Sequence, residues 1–476
     1  MKVLTAPQMR EMDRRTIEAG IPGLILMENA AMRVVEFLAR RYAPLERHRI
    51  VVCCGKGNNG GDGLAIARQL RTRFAARVEV VLACEPEELR GDALANWRML
   101  RVCGCPVADE LAPEATLIVD ALLGTGSAGA PRGRVAELIG AIHAAGQART
   151  VAVDLPSGLG FGGVRAEATV TFAAPKVEHY FGTETERVGE LVVAPIGIPE
   201  SFIEEEPEHW LHLIEARDAG EALGPRASGS HKGTYGHVLI VGGAAGKSGA
   251  AAMAGLAALR AGAGLVTVAC EGAPPMAPEL MTAPLDEPPV EGKTVLAVGP
   301  GLGTEPGAAA LLGKLLRAPA LRVLDADALN LAAAEGLDVN GCILTPHPGE
   351  MARLAGLSTA EVQADRLATA RAFARERRCT LVLKGHRTLI AFADGTVWIN
   401  PTGNPGMATG GSGDVLTGLI AGLLAQAPLR PREAVIAAVW LHGRAGDLAA
   451  AELGERCLIA TDLLRYLPRA MADARV

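Results

Sequence analysis

Hydrophobic and polar residues follow a pattern typical of two successive α/β domains. Short runs rich in β-branched residues predict strands, and apolar residues spaced three and four apart predict the helices between them. The strands predicted in the first half are Arg49–Cys54, Val78–Cys84, Leu117–Asp120, Thr150–Asp154, Thr169–Phe172 and Leu191–Ala194. Those in the second half are His237–Val241, Leu265–Cys270, Val295–Val298, Arg322–Asp325, Gly341–Leu344 and Thr380–Leu383, then a hairpin over Thr388–Asn400. Strands that alternate with helices predict a mostly parallel sheet flanked by helices.

Local signals place helices and a connection between the two halves. Thr5 and Gln8 form a capping-box pattern before a helix over Met9–Ala19, and Leu24–Arg40 follows as a second helix. Further helices are predicted over Leu64–Arg73, Asp92–Arg101, Val135–Ala145, Ala250–Ala261 and Val415–Leu424. Residues 200–230 are acidic and then rich in Gly, Pro and Ser, which predicts an interdomain connection with one short helix near Leu211–Ala216. The expected domains are residues 1–213 and 222–476.

Bulk composition excludes several classes of protein. The chain has 476 residues, and its formal charge of −6 argues against a nucleic-acid-binding surface. The longest apolar stretch, Val238–Ala269, is interrupted by Lys247 and Arg260, so no membrane span is expected, and the charged N-terminus does not resemble a signal peptide. Nine scattered cysteines without a CxxC pair indicate free thiols in a reducing compartment. We expect a cytoplasmic enzyme that forms a homo-oligomer.

A glycine-rich stretch ending at Asp414 is the most informative motif. Gly410-Gly411-Ser412-Gly413-Asp414 runs directly into the apolar helix predicted from Val415. Free N–H groups at a helix start attract phosphate, and glycines let the phosphate approach the backbone closely. A carboxylate in the first turn can accept a proton from a hydroxyl that attacks the phosphate. The alternative is a flexible loop with an N-cap aspartate. The sequence matches neither the P-loop pattern nor the dinucleotide fingerprint.

In the first half, polar side chains follow three predicted strands. After Cys54 comes Gly55-Lys56-Gly57-Asn58-Asn59-Gly60-Gly61-Asp62-Gly63; Asp120 and Asp154 end later strands and lead into small-residue loops. Because ligands bind at the carboxyl ends of parallel strands, the three strand ends predict one pocket. The loop also contains GxGxxG, with Glu85 available as the acidic partner, but that signal alone is weak. The alternative for each aspartate is a helix cap.

In the second half, His347 and Lys384 also follow predicted strands. His347 lies between two prolines, which fix the backbone and favour either a ligand contact or a capped surface turn. Lys384 would contact a ligand or be a solvated strand end. Asp325 and Asp327 would bind magnesium or cap the helix at Ala328, and the capping role is preferred.

The motifs Gly57–Gly63, Asp120–Gly126 and Asp154–Gly158 together resemble the NAD(P)H-hydrate epimerase family over residues 1–213. The resemblance implies a Rossmann-like three-layer domain with Asp154 as acid/base. It also implies potassium ligated by Asn59, Asp120 and Ser157. The implied substrate-binding residues are Asn58, Asn59, Gly60, Gly61, Asp62, Gly124, Thr125, Gly126, Ser127, Ala128, Gly129, Ala130 and Asp154. Where the family often has Lys-Pro-Gly, this chain reads Lys176-Val177-Glu178, so the resemblance assigns no role to Lys176.

Thr345-Pro346-His347-Pro348-Gly349-Glu350 and the Gly410–Asp414 loop resemble the NAD(P)H-hydrate dehydratase family, from His231 to the end. The resemblance implies a ribokinase-like α/β domain in which ADP donates a phosphoryl group, with magnesium on its phosphates. The residues implied to contact the hydrated dinucleotide are Ala250, Gly301, His347 and Asp414, and those implied to contact AMP or ADP are Lys384, Gly385, His386, Arg387, Thr388 and Gly413.

Together the two resemblances imply a bifunctional repair enzyme for hydrated nicotinamide dinucleotides. The first domain would interconvert the R and S hydrates of NADH and NADPH, and the second would dehydrate the S form while ADP becomes AMP and phosphate. Two alternatives remain at this point. One is a ribokinase-like small-molecule kinase with a degenerate N-terminal domain, and the other is a non-catalytic dinucleotide-binding or scaffold protein.

Overall fold

The computed structural model describes residues 1–126, 129–272 and 277–475 and divides the chain into two compact units. The first unit comprises Lys2–His209, and the second begins at Trp210 and includes Met1. Each unit has an α/β fold built on its own sheet. Within the described ranges, none of the helices is long and apolar enough to cross a membrane.

The first unit contains six helices and seven strands in its described part. The helices are α1 (Ala6–Glu18), α2 (Gly23–Arg41), α3 (Asn58–Arg73), α4 (Gly91–Val102), α5 (Gly133–Ala144) and α6 (Glu200–Glu204). The strands are β1 (Arg49–Cys54), β2 (Arg77–Leu82), β3 (Val107–Ala108), β4 (Leu117–Ala121), β5 (Arg149–Val153), β6 (Ala168–Phe172) and β7 (Glu190–Ala194).

The sheet of the first unit is parallel throughout, in the order β3-β2-β1-β4-β5-β6-β7. The order reverses between β1 and β4, so the loops after these two strands diverge to opposite sides and leave a crevice. Every residue of β1 after Arg49 is buried, as expected of a strand covered on both faces. The crevice therefore lies beside the glycine loop after β1 and the loop after Asp120.

The start of α3 corrects the prediction that Asn58–Gly63 is a loop before a helix at Leu64. The helix begins at Asn58, so these residues form its first turns. Glycine is a weak helix former, yet here it allows close packing. A Cβ on Gly60 would lie 1.7 Å from the carbonyl oxygen of Gly55, and one on Gly63 would lie 2.7 Å from the Cβ of Ala121. The glycines thus bring α3 and its N–H groups onto the sheet. The predicted capping box of α1 is confirmed by the reciprocal bonds between Thr5 and Gln8.

The described part of the second unit contains ten helices and ten strands. The helices are α7 (Ala216–Gly220), α8 (Ser248–Ala261), α9 (Pro306–Leu315), α10 (Asp327–Glu335), α11 (Pro348–Ala355), α12 (Thr359–Ala364), α13 (Arg366–Arg377), α14 (Ser412–Gln426), α15 (Pro431–Leu453) and α16 (Ala460–Asp473). The strands are β8 (Leu211–Leu213), β9 (His237–Val241), β10 (Leu265–Ala269), β11 (Met281–Ala283), β12 (Val295–Val298), β13 (Leu321–Leu324), β14 (Ile343–Leu344), β15 (Thr380–Leu383), β16 (Leu389–Ala391) and β17 (Val397–Ile399).

The sheet of the second unit has the order β11-β10-β9-β12-β13-β14-β15-β16-β17-β8. It is parallel from β11 to β15, and the predicted hairpin is confirmed as the antiparallel pair of β16 and β17. The strand order reverses between β9 and β12, which creates a second crevice. The short helix predicted near Leu211–Ala216 is wrong, because Leu211–Leu213 is a strand that pairs with β17. A segment of three residues carries too little periodicity to distinguish a strand from a helix.

A seam of small residues joins α8 and α14. A Cβ on Gly418 would lie 2.0 Å from the carbonyl oxygen of Ala254, and one on Gly422 would lie 2.5 Å from that of Ala258. The two helices therefore approach more closely than larger side chains would allow. This contact fixes the start of α14, with its glycine loop, beside the start of α8.

Candidate active sites

A cavity of about 710 Å³ in the first unit lies at the crevice between β1 and β4. The cavity is lined by Asn58, Asn59 and Asp62 at the start of α3, by Gly124–Gly126 after β4, and by Asp154 after β5. The side-chain amide of Asn59 donates to the carbonyl oxygen of Leu123 at 2.9 Å, which ties the two loops together. The cavity is large enough for part of a nucleotide, and it brings together the three predicted strand ends.

Oxygen atoms of Asn59, Asp120 and Ser157 come from the same three strand ends. The Ser157 hydroxyl donates to Asp120 Oδ1 at 2.6 Å, and the Ser157 N–H donates to Oδ2 at 2.8 Å. The buried Oδ1 of Asn59 has no hydrogen-bond partner among the described residues. Burial raises the pKa of Asp120 to about 6, although the bonds from Ser157 and Leu122 oppose the rise. In the described part of the chain, no cationic side chain pairs with Asp120.

Asp154 makes a buried ion pair with Lys176. The Lys176 ammonium lies 2.6 Å from Asp154 Oδ1, and it also donates to the hydroxyl of Thr171 and the carbonyl oxygen of Phe172. Asp154 has a φ of 66°, in the left-handed region that aspartate tolerates better than most residues. That turn at the end of β5 directs the carboxylate back toward β6 and the segment that carries Lys176.

Lys176 keeps Asp154 ionised. Burial alone would raise the pKa of Asp154, but the Lys176 ammonium, helped by the Thr171 hydroxyl, lowers it below its usual value. The ring of His179 accepts from the Lys176 N–H through Nδ1, so its Nε2 donates to the carbonyl oxygen of Asp154. Burial, with Lys176 nearby, lowers the pKa of His179 to about 4, so the ring is neutral. Its two hydrogen bonds connect the backbones of Lys176 and Asp154.

The structure brings most predicted residues of the first unit together but not all. Gly60 and Gly61 are buried beneath the first turn of α3, where they permit the packing rather than face the cavity. Gly129 lines a neighbouring cavity of about 310 Å³ that shares Gly124 and Thr125, and Ala130 is exposed. The predicted residues Ser127 and Ala128 lie outside the described residues.

Asp414 occupies the first turn of α14, as the sequence predicts, with Gly411 as the residue before the helix. Gly411 has a φ of 91°, and a Cβ there would also meet the side chain of Met253 at 2.5 Å, so only glycine fits. A Cβ on Gly413 would lie 3.4 Å from Lys384 Nζ. The helix start, its N–H groups and the lysine therefore face the same space.

Lys384 is held by carboxylates other than Asp414. Its ammonium lies 2.8 Å from Asp325 Oδ1 and 3.8 Å from Glu350 Oε2. The Thr417 hydroxyl donates to the second oxygen of Asp325 at 2.8 Å. Burial opposes the charge on Lys384, but Asp325 and Glu350 raise its pKa, so the ammonium stays protonated. The preferred capping role for Asp325 is thus wrong: its carboxylate positions Lys384 and anchors α14.

The pKa of Asp414 is shifted in the direction opposite to that of Asp154. Burial and the nearby Asp325 carboxylate raise its pKa to about 6, with a further contribution from Asp327, while Lys384 lowers it. A carboxyl group with this pKa is mostly ionised at neutral pH yet binds a proton more readily than an ordinary aspartate, which suits a group that accepts and then releases a proton.

The remaining predicted residues of the second unit surround this cluster. A Cβ on Gly301 would lie 3.4 Å from that of Ala250 and 2.7 Å from the carbonyl oxygen of Lys247. Lys247 Nζ is 3.7 Å from Asp327. His347 caps α11 by accepting from the N–H groups of Gly349 and Glu350, and half of its side chain is exposed. The capped-turn interpretation is therefore correct for Nδ1, while Nε2 lies 3.4 Å from Glu350 Oε1.

Most of the residues predicted to contact the nucleotide form one loop after β15, which contains Lys384, Gly385, His386, Arg387 and Thr388. The guanidinium of Arg366 donates to the carbonyl oxygens of Leu383, Lys384 and His386 and so fixes this loop. Burial, with Arg387 and Arg366 nearby, lowers the pKa of His386. Cationic groups around a fixed loop suit the phosphates of a nucleotide.

Sequence reasoning assigned no role to Lys176, did not single out Glu350 or Arg366, and preferred the wrong role for Asp325. Their only local signal is a polar residue at the end of a strand or on a helix. Their roles depend on partners that are distant in sequence, such as Thr417 for Asp325.

Comparison with known proteins agrees with this architecture. The family model described as NAD(P)H-hydrate dehydratase matches residues 238–469, and that described as YjeF-related protein N-terminus matches residues 23–178. Relatives named bifunctional NAD(P)H-hydrate repair enzyme Nnr include proteins from Moorella thermoacetica and Escherichia coli. The former is 44% identical over 98% of this chain and 96% of the relative, and the latter 39% over 95% and 90%.

A solved structure resembles the second unit. The ADP/ATP-dependent NAD(P)H-hydrate dehydratase of Bacillus subtilis, co-crystallised with ATP and Mg²⁺, aligns with a TM-score of 0.51 and 34% identity. The match covers 55% of this chain and 98% of that one. With relatives that match along nearly the whole length, the chain belongs to the family of bifunctional NAD(P)H-hydrate repair enzymes.

Proposed function

We propose that the first unit interconverts the R and S hydrates of NADH and NADPH, and that the second unit dehydrates the S form at the expense of ADP. The observation that carries the proposal is the presence of two carboxylates, Asp154 and Asp414, each beside a glycine-rich helix start within its own crevice. The chain's likeness, over 98% of its length, to a protein named bifunctional NAD(P)H-hydrate repair enzyme supports the same assignment.

Dehydration needs a better leaving group than hydroxide. In the proposed reaction Asp414 takes the proton of the C6 hydroxyl as its oxygen attacks the terminal phosphorus of ADP, which releases AMP. The C6–O bond then breaks with the electron pair of the ring nitrogen, phosphate leaves, and loss of a C5 proton restores the double bond. N–H groups of the Gly410–Gly413 stretch and Lys384 would stabilise charge on the transferring phosphoryl group.

The donor nucleotide and magnesium belong to this proposal. The Bacillus subtilis relative was crystallised with ATP and Mg²⁺, so both ADP and ATP are candidate donors. Magnesium prefers phosphate oxygens and one or two carboxylates. Asp325 and Asp327 both act on the ionisation of Asp414, so carboxylates lie near the place proposed for the nucleotide phosphates. The metal would supply positive charge there.

Potassium fits the oxygen cluster of the first unit. The unpartnered Oδ1 of Asn59 and the buried carboxylate of Asp120 both need a positive partner, and the Ser157 hydroxyl oxygen retains acceptor capacity. We propose that Asn59, Asp120 and Ser157 hold the ion, which would offset the charge of Asp120 and fix the loops that bind the substrate phosphates. Asp154, kept ionised by Lys176, would act as the base at C6.

A kinase that releases a stable phosphoester is the second candidate for the second unit, and its products would separate it from a dehydratase. The test is to incubate the protein with mixed R and S hydrates of NADPH, magnesium, potassium and either nucleotide, and to follow absorbance at 340 nm. Full recovery of NADPH with AMP or ADP and free phosphate is expected. Recovery that stops when the S form is exhausted would remove the epimerase function, and a phosphoester product without NADPH would favour the kinase.

The oligomeric state and the cytoplasmic location stay predictions.

A further inference from the structure

Among the charged groups that line the cavity of the first unit, three aspartates and one lysine influence one another's ionisation. Asp13 on α1, Asp62 on α3 and Asp154 after β5 all line it, together with Lys176. Lys176 donates directly to Asp154 alone among the three. Because buried carboxylates that repel one another do not all ionise together, at least one of the other two carries a proton near neutral pH.

Asp13 stands in an otherwise largely apolar stripe of α1. Met9, Asp13 and Ile17 lie four residues apart on one face of the helix, and all three line the cavity. The start of α1 is hydrogen bonded to the segment that carries Lys176, because the N–H of Leu4 donates to Pro175 and the N–H of Val177 donates to Leu4. The helix is thus held at a fixed position relative to Lys176 and Asp154.

Burial and charged neighbours give these carboxyl groups different pKa values, as separate acid and base roles require. Burial raises the pKa of Asp13 to about 6, with Asp154 adding to the rise and Lys176 opposing it. Lys176 lowers the pKa of Asp154 despite its burial. Burial and the charges of the other two aspartates raise the pKa of Asp62 well above its usual value. A pair of carboxyl groups whose pKa values are pushed apart is the usual arrangement for acid and base roles.

We propose that Asp13 is a second catalytic residue of the epimerase, which gives a proton to the departing C6 hydroxyl while Asp154 accepts one from the incoming water. The inference rests on the epimerase function proposed above. Asp62 lies in the first turns of α3, which the resemblance assigns to substrate binding, so Asp13 is the remaining candidate for the acid.

The step balances without a further reactant. The proton of Asp13 joins the C6 hydroxyl, the C6–O bond breaks, and the ring nitrogen pair forms a C6=N1 bond as water leaves. A water molecule adds to the other face of C6, its proton passes to Asp154, and the C6=N1 electron pair returns to nitrogen. A proton then returns from Asp154 to Asp13 through solvent. The reverse reaction uses the two carboxyl groups in exchanged roles.

The test compares Asp13→Asn with Glu11→Gln, an exposed position on the same helix that pairs with Arg14. Exchange of the R and S hydrates is measured against pH in the full-length protein, and the dehydration of the S form serves as an internal readout. We expect Asp13→Asn to lower kcat for exchange roughly 100-fold with little change in KM, which is the lower range for loss of general acid catalysis. The wild type and Glu11→Gln should lose rate as the pH rises through about 6, since the acid must be protonated.

Exchange by the Asp13→Asn variant should not slow as the pH rises through about 6. Exchange within threefold of wild type, or an unchanged pH profile in Asp13→Asn, would overturn the proposal. If Asp13→Asn lowers the thermal stability of the first unit, Asp13→Glu is measured as well. Exchange that is restored in Asp13→Glu, and that again slows as the pH rises, supports the proposal. A rate as low as that of Asp13→Asn overturns it. A wild-type protein without exchange would instead refute the epimerase function itself.

Discussion

Each of the two sites contains a catalytic aspartate and a lysine, but the lysine donates to a different kind of partner in each. In the first unit Lys176 donates to Asp154 itself and lowers its pKa. In the second unit Lys384 donates to Asp325, and Asp414, beside this pair, has a pKa raised to about 6. The catalytic carboxylate of the first unit thus has its own cation, whereas the cation of the second unit is drawn to another carboxylate.

The comparison shows that the partner of the lysine, and not its presence, sets the chemistry of the aspartate. Both lysines lie near the carboxyl end of a strand, and both stay close enough to influence the catalytic carboxylate. What differs is the third residue: Asp325 accepts from Lys384 in the second unit, whereas the Thr171 hydroxyl and a backbone carbonyl complete the contacts of Lys176.

The largest expected effect is that of Asp414→Asn on dehydration. Removing the base should lower the rate of NADPH formation from the S hydrate roughly 100- to 10,000-fold. Exchange between the epimers should continue at the wild-type rate, which is followed by separating the R and S forms chromatographically. Dehydration that persists within tenfold of wild type would show that another group takes the hydroxyl proton.

Lys176→Met should nearly abolish epimer exchange and destabilise the first unit. The variant leaves the buried Asp154 carboxylate without its cation, which costs roughly 3–5 kcal/mol for a buried pair and raises the pKa of Asp154. Exchange measured against pH should then require a higher pH than in wild type, because the base must be ionised. Lys56→Met serves as the control, since Lys56 lines the same cavity but is exposed. Equal pH profiles for the two variants would contradict the role of Lys176.

How far the sequence predicts these sites depends on where the partners come from. Asp414 and the glycine loop were predicted because the whole motif lies within five consecutive residues. Lys176 and Asp154 are separated by 22 positions and meet only through the left-handed turn at Asp154 and the position of β6. Asp13 gave no signal, because one aspartate on an amphipathic helix normally faces solvent. The start of α3 was misplaced because the packing of its glycines against the sheet is a tertiary effect.

Asp325→Asn should make the second site resemble the first. Without the Asp325 charge, Lys384 loses its main partner and Asp414 loses a repulsive neighbour, so the pKa of Asp414 should fall. We expect the acid limb of the kcat profile for dehydration to move to lower pH, while the maximal rate falls about tenfold because Lys384 is less well positioned, a loss equal to about 1.4 kcal/mol. Asp338→Asn, an exposed position in the same unit, is the control. An unshifted acid limb would contradict the electrostatic account.

Asn59→Ala should produce the smallest effect, confined to the potassium dependence of exchange. The change removes the unpartnered oxygen and one proposed ligand. Exchange in wild type should increase severalfold when potassium replaces sodium, and the variant should respond little. Asn58→Ala should keep the response to potassium, even if its own rate changes. A variant that responds to potassium like the wild type would move the proposed ion elsewhere.

The most direct test of the contrast between the two aspartates is to measure kcat for both reactions against pH in one preparation, after subtracting the uncatalysed rates. Dehydration should decline as the pH falls through about 6, because Asp414 becomes protonated. Exchange should show no such decline there, because Lys176 keeps Asp154 ionised. A shared acid limb near pH 6 would contradict the opposite pKa shifts assigned to the two carboxylates.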